Sequence, residues 1–209
     1  MQKLAILVTR LSSWVLSKMG RGGSMPGRLG IKIAPDCLNH LKFGGPVILV
    51  TGTNGKTSTA NMVSDLMEEA GYKVVTNRKG DNLRVGITST LLSHCSLSGR
   101  VKADAAVLEV DELNMKYIVP ALPVTAIVVN NFFRDKLDRA GEMERIIDTI
   151  ESVLPDYQGD LILNGNDPNV VRLAMAAPNA RKIYFGAAKN ASAVEHSAEA
   201  AEGKFCPKC

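Results

Sequence analysis

The chain has 209 residues, 45% of them hydrophobic, 22% charged and 5% aromatic, with a formal net charge of +4. That is enough for one globular domain and part of another, while the small basic excess, the lack of any block of like charges and the scarcity of aromatics argue against nucleic acid as a partner. No run of about 18 apolar residues occurs, so no membrane-spanning helix is expected, and Arg10 with no small-residue cleavage site behind it argues against a secretory leader.

Residues 1–19 place Leu4, Leu7, Leu11, Trp14, Val15 and Leu16 at helical spacing, with Lys3, Arg10 and Lys18 on the flanks. This predicts an amphipathic basic helix docked on the domain by its apolar stripe, with contact to a membrane surface as the alternative. Residues 20–30, GRGGSMPGRLG, read as a loop from their glycines and proline. Residues 1–45 are therefore taken as an amphipathic helix and glycine-rich segment ahead of the main domain. Cys37 and Cys95 are expected to be ordinary buried or half-buried thiols, since nothing points to export and disulfides.

Residues 47–58, VILVTGTNGKTS, carry the densest information. Val47–Val50 is a buried-strand signal, Gly52 and Gly55 bracket a tight turn, and Lys56, Thr57 and Ser58 open a helix. Such a turn directs backbone N–H groups at phosphate oxygens, and the helix N-terminus adds its positive dipole end. A lysine there reaches the β- and γ-phosphates, and the threonine hydroxyl is suited to Mg²⁺. Gly52, Thr53, Asn54, Gly55, Lys56, Thr57 and Ser58 are the candidate ATP-binding residues, with Lys56 also catalytic. The loop is shorter than the usual G-x-x-x-x-G-K-[ST], since Val50 stands where that pattern has its first glycine. The short G-T-N-G-K-T form resembles the Mur ligase and folylpolyglutamate synthetase superfamily, whose members use ATP to activate a carboxylate before joining it to an amine.

Further along, a helix is predicted over 57–70 with Met62, Val63, Leu66, Met67 and Ala70 inward, then a strand over 72–76. The polar stretch TNRKGDNLRVG (76–86) is rich in anion-binding side chains and leads into a helix near 87–96. Strands follow at 105–110, 124–129, 161–163 and 182–185, with helices at 141–154 and near 168–176. Alternating strands and helices predict an α/β domain with a mainly parallel sheet, and ligands in such sheets bind beyond the carboxyl ends of the strands. AAVLEVDE (105–112) ends a buried strand in acids. Glu109 lies in the apolar run, where a charge needs a partner or a metal, so Thr57 and Glu109 are the candidate Mg²⁺ ligands. Asp111 and Glu112 are alternatives, or caps of the next helix.

The stretch NNFFRDKLDRAGE (130–142) adds a more specific resemblance. Together with VVTNRKGDNLRVGITSTLL, LEVDE, LILNGNDPNV and GRGGSMPGRLG, in that family's order and over essentially the whole chain, it resembles the MurT family. These are Mur-ligase-like subunits that pair with a glutaminase of GatD type. Lys136, Asn166 and Asn130 depart from the family's pattern. The resemblance implies a Mur ligase central ATP-binding domain over 46–187, with Asn131 near the nucleotide base. Asn164 and Asp167 read equally as turn and helix-start chemistry, and Arg134, Asp135 and Asp138 equally as an ion-pair network.

FCPKC at 205–209 puts Cys206 and Cys209 in C-x-x-C spacing, one half of a tetrahedral Zn²⁺ ribbon. MurT proteins have such a four-cysteine ribbon, and His196 is a weak candidate for a further ligand. Residues 188–209 are therefore read as a linker and the first half of the ribbon, and the chain as the N-terminal part of a longer protein, truncated at the start of that insertion. The resemblance further implies ATP-dependent amidation of the D-glutamate α-carboxylate of lipid II, via an acyl phosphate captured by ammonia from the glutaminase. That substrate implies a cytoplasmic location, at the inner face of the cell membrane. The rival readings are a ligase that adds an amino acid, and a nucleotide-binding module without ligase chemistry.

Overall fold

A computed structural model describes residues 1–20, 23–78, 81–133 and 140–188, apart from the side chains of Ala140 and Glu142. Among the described residues six parallel strands form one sheet in the order β2-β3-β1-β4-β5-β6. They are β1 (Val47–Thr51), β2 (Val74–Thr76), β3 (Ala105–Glu109), β4 (Ala126–Val129), β5 (Asp160–Asn164) and β6 (Arg181–Phe185). The helices are α1 (Gln2–Lys18), α2 (Met25–Ile33), α3 (Lys56–Glu69), α4 (Arg84–Ser93), α5 (Met115–Ile118), α6 (Ala140–Glu151) and α7 (Pro168–Val171). After β1 the chain moves two places outward to β2, returns through β3, and crosses to the other side of β1 as β4. The direction of winding thus reverses beside β1, the place where open α/β sheets form a ligand crevice at their carboxyl ends.

The sheet's two faces are covered unequally. Val50, Val107 and Val128 point to one face and pack under Ala60 of α3, with Ile48, Val63, Met67 and Ile162 around them. Val47, Leu49, Leu108, Ile127, Val129, Leu161 and Leu163 point to the other face. They join one large core with Ile87, Leu91 and Leu92 of α4, Ile118 of α5, and Ile147 and Ile150 of α6. Ala5, Ile6, Cys37, Leu38 and Leu41 belong to the same core, so residues 1–45 pack as a continuation of the layer behind the sheet. Cys37 and Cys95 are free and buried, as expected, and burial pushes both thiols up from their ordinary range.

The structure corrects three local expectations. Residues 25–33 are helical rather than loop. Pro26 sits in the first turn, where its missing N–H costs nothing. Gly27 and Gly30 serve close packing: a Cβ on Gly27 would meet the Val85 carbonyl oxygen at 1.8 Å, and one on Gly30 the Thr9 hydroxyl at 2.6 Å. The inward stripe of α3 is Ala60, Val63, Ser64 and Met67, while Met62, Leu66 and Ala70 are exposed. Its rotation follows from the preceding turn, which presents Lys56 and Thr57 at the sheet's end. Finally, α1 does dock on the domain, but through Ala5, Ile6 and Thr9; Leu4, Leu7, Leu11, Trp14 and Val15 face outward.

Candidate nucleotide site

Three neighbouring strands, β3, β1 and β4, deliver the site at their carboxyl ends. The loop after β1 turns at Gly52, with φ of +120°, where a Cβ would lie 2.9 Å from both the backbone nitrogen and oxygen of Asn131. Glycine is required there by conformation and by space. Asn131 follows β4 and spends its side chain on the loop: its Oδ1 accepts from the Asn54 N–H at 2.9 Å and its Nδ2 donates to the Asn54 carbonyl at 3.1 Å. Thr53 N–H donates to the Asn131 carbonyl at 2.8 Å, and Thr53 Oγ1 accepts from the Phe133 N–H at 3.2 Å. In this geometry Asn131 shapes the loop. Gly55, with φ of +77°, caps α3, and the first-turn N–H groups of α3, which helix geometry leaves without carbonyl partners, lie beside the cleft.

The charged groups are tied together. Lys56 Nζ donates to the Gly52 carbonyl at 2.6 Å, the Thr53 carbonyl at 3.2 Å and Glu112 Oε1 at 2.9 Å. Glu112 is only 6% exposed; burial pushes its carboxyl up from the usual range, and the Lys56 ammonium beside it partly offsets that rise. Glu109, 4% exposed, accepts from the Thr57 hydroxyl at 2.7 Å through one oxygen and from Asn82 Nδ2 at 2.9 Å through the other. Its backbone is held from both sides by Asn77, whose Oδ1 accepts from the Glu109 N–H at 2.9 Å and whose Nδ2 donates to the Glu109 carbonyl at 2.8 Å. A buried acid whose every oxygen is addressed is stable only because its desolvation is compensated in this way.

A cleft of about 360 Å³ is lined by Thr53, Asn54, Gly55, Lys56, Thr57, Ser58, Asn82 and Glu109. The structure therefore brings Thr53 to Ser58 of the loop together with Glu109 and adds Asn82, while Gly52 lies behind the cleft against the Asn131 backbone. Of the two alternative acids, Asp111 caps the following turn by accepting from the Leu113 N–H, and Glu112 pairs with Lys56. Asp167 is structural: it caps α7 and accepts from the Phe132 N–H at 2.8 Å. Asn164 donates to the Asn130 carbonyl at 2.8 Å, and Asn130 donates to Thr59 Oγ1 at 2.9 Å. Arg134, Asp135, Lys136, Asp138, His196, Cys206 and Cys209 lie outside the described residues.

The larger cavity of about 730 Å³, lined by residues such as Val119, Val124 and Tyr157, lies at the amino-terminal ends of β4 and β5. That is the wrong end of an open α/β sheet for a ligand, and it carries none of the charged groups above.

For a metal, the donor chemistry fits Mg²⁺. Thr57 and Glu109 offer oxygen only, and among the described residues no three His, Cys, Asp or Glu side chains converge. That suits a cation held by one carboxylate, a hydroxyl and phosphate oxygens rather than by an all-protein cage.

The family model for the Mur ligase middle domain matches residues 50–207. The chain belongs to the Mur ligase family. Over its whole length it is similar to the MurT subunit of lipid II isoglutaminyl synthase from Streptococcus pneumoniae, with 32% identity over 99% of this chain and 45% of that protein. It is 30% identical to the Staphylococcus aureus MurT over 100% of this chain and 46% of that protein. The chain thus spans less than half the length of these curated relatives. Among solved structures it resembles MurF from Acinetobacter baumannii, with a TM-score of 0.62 and 20% identity over 76% of this chain and 35% of that one. It also resembles MurF from Thermotoga maritima in complex with ADP, with a TM-score of 0.56 and 18% identity over 78% of this chain and 35% of that one. These likenesses agree with the parallel sheet and its flanking helices.

Proposed function

We propose that this chain is the ATP-binding part of a ligase that amidates the D-glutamate α-carboxylate of the lipid II stem peptide to D-isoglutamine. One observation carries the reading: the short glycine loop, Lys56, Thr57 and buried Glu109 converge on one cleft in a chain similar along its entire length to MurT subunits. MurF from Thermotoga maritima, which shares the fold, was solved in complex with ADP, which supports a nucleotide as this chain's ligand.

In the proposed reaction the substrate carboxylate attacks the γ-phosphorus of ATP, and the bond to the β-phosphate oxygen breaks to release ADP. Ammonia then attacks the acyl carbon of the acyl phosphate, loses a proton, and phosphate leaves. Little covalent chemistry falls to the protein, so its work is positioning and charge stabilisation. Lys56 and the first-turn amides of α3 stabilise the charge on the transferring phosphoryl group. Thr57 and Glu109 would hold Mg²⁺, which offsets phosphate charge when bound. Asn77 and Asn82 fix Glu109, and Asn131 fixes the loop. Ammonia would come from a GatD-type glutaminase partner. Cys206 and Cys209 are proposed as half of a Zn²⁺ site, and the proposed location is the cytoplasmic face of the membrane.

The test uses the full-length protein containing this chain, with its glutaminase, and follows the mass of lipid II with ATP and glutamine. Exchange of hydroxyl for amino in the product, abolished by Lys56→Ala, is the expected result. A mass gain of one amino acid residue instead would establish an amino-acid-adding ligase. The 29% identity to the UDP-N-acetylmuramoylalanine–D-glutamate ligase of Bifidobacterium longum over 71% of this chain keeps that second reading in play.

A further inference from the structure

The outward face of α1 is apolar and stays in water. Leu4, Leu7, Leu11, Trp14 and Val15 fall within an arc of about 100° on the helix, and all are exposed, Leu11 at 64% and Trp14 at 61%. The helix anchors itself by the opposite side: Ala5 and Ile6 are fully buried, Thr9 Oγ1 donates to the Pro26 carbonyl at 3.3 Å, and Ser13 pairs with Ser93 of α4 at 3.0 Å. Apart from Ile6 the packing side is therefore small or polar, and most of the helix's large apolar side chains face away from the fold they stand on. An apolar stripe of this kind is expected to have an occupant.

Charge says which. Residues 1–33 contain Lys3, Arg10, Lys18, Arg21, Arg28 and Lys32 and no acid; the first is Asp36. The remainder of the chain then holds 19 basic against 21 acidic residues out of totals of 25 and 21. All of the chain's positive excess thus resides in the segment that carries the apolar stripe. Lys3 and Arg10 border the arc and Lys18 lies within it. Adjacent α2 adds exposed Met25 and Leu29 beside exposed Arg28 and Lys32. An apolar stripe with a tryptophan, edged by cations and free of acids, matches the boundary between acyl chains and anionic headgroups.

We propose that α1, assisted by α2, docks this protein on an anionic lipid bilayer, with Leu4, Leu7, Leu11, Trp14 and Val15 inserted at the headgroup–acyl boundary. A second copy of the chain fits less well, because residues 1–33 of each copy carry positive charge and no acid to pair with it. No helix of the described residues is long and apolar enough to span a bilayer, so the helix lies along the surface. The placement bears on the site. Ser13, Leu16 and Ser17, on the inner side of α1, line a cavity of about 430 Å³ that extends to Asn77 and Asp81, and Asn77 holds Glu109. Docking would set the α1 wall of that cavity on the order of one helix diameter, about 10 Å, from the headgroups. The inference stands apart from the ligase reading, since its test needs neither nucleotide nor lipid II.

Trp14 is the chain's single tryptophan and reports directly. The full chain is mixed with vesicles of phosphatidylglycerol or of phosphatidylcholine, and its fluorescence, quenching by brominated acyl chains and flotation are followed. The expected result is a blue shift and quenching on phosphatidylglycerol, with partitioning at least about tenfold weaker on phosphatidylcholine. Raising the salt weakens it, and Lys3→Glu or Lys18→Glu weakens it by about fivefold or more. Leu11→Glu, at an exposed position, abolishes it without changing the circular dichroism. Emission of water-exposed tryptophan with both vesicles overturns the proposal. So does a dimer in solution that Leu11→Glu dissociates while vesicle binding is absent, which would assign the face to a second copy.

Discussion

The cleft at the end of β1 and the outer face of α1 break opposite rules. In the cleft, charged groups are withdrawn from water: Glu109 and Glu112 are buried, and every contact they make is to a named donor. On α1, large apolar groups are left in water although the same helix buries Ala5 and Ile6 on its other side. Neither arrangement follows from the needs of the fold, whose core is complete without them. A protein keeps costly polar burial where chemistry requires preorganisation, and apolar exposure where something else is to be bound. The two regions should therefore respond oppositely to substitution. Changes in the cleft should cost stability or ligand binding, and changes on α1 should cost neither.

Lys56→Met should have the largest effect on stability. It leaves Glu112 buried without its cation, at a cost of about 3 kcal/mol or more. Adding Glu112→Leu to Lys56→Met should recover most of that loss, as read by urea unfolding. Failure of the double variant to recover would mean that the pair is not the source of the penalty. Gly52→Ala comes next, at about 1–3 kcal/mol. It forces a side chain into a φ of +120° and within 2.9 Å of the Asn131 backbone, and the same assay should show it.

Glu112 also gives a pH signature. An unfolded carboxyl titrates near 4.5, and the folded one is held above that. Between the two values the folded state binds more protons than the unfolded state, so stability falls as pH rises through that window and levels off above the folded value. Glu112→Gln, whose amide oxygen still accepts from Lys56, should flatten that decline in a series of thermal melts. The smallest effect belongs to Leu11→Glu, which should move the unfolding free energy by no more than about 0.5 kcal/mol. A larger loss would mean that the outer face of α1 does contribute to the fold, and the contrast between the regions would collapse.

Much of the cleft was legible because its signals are local. Gly52, Gly55, Lys56 and Thr57 lie within six residues of one another, and their spacing between an apolar run and a helix defines the turn. Glu109 was legible because a charge inside an apolar strand demands a partner. What the sequence hid was long-range. Nothing marks Asn77 as the clamp on Glu109, 32 residues away, or Glu112 as the partner of Lys56, 56 residues away. Asn77 and Asn82 do fall in the polar stretch after β2, which was the available signal. The helix at 25–33 was missed because glycine reads as a breaker in isolation, whereas Gly27 and Gly30 are there to let Val85 and Thr9 approach. The apolar periodicity of α1 correctly gave a helix but assigned its apolar stripe to the core. Amphipathicity reports that a face has a preference, not which neighbour satisfies it.

The central claim, that the loop after β1 holds nucleotide phosphates with Glu109 as the metal-side acid, is tested most directly by calorimetric titration of the chain with ADP, with and without Mg²⁺. The account predicts binding that Mg²⁺ strengthens, that weakens by at least about tenfold in Lys56→Met, and that loses its Mg²⁺ dependence in Glu109→Gln. Binding indifferent to both substitutions, or no binding by a chain whose circular dichroism shows it folded, would contradict it.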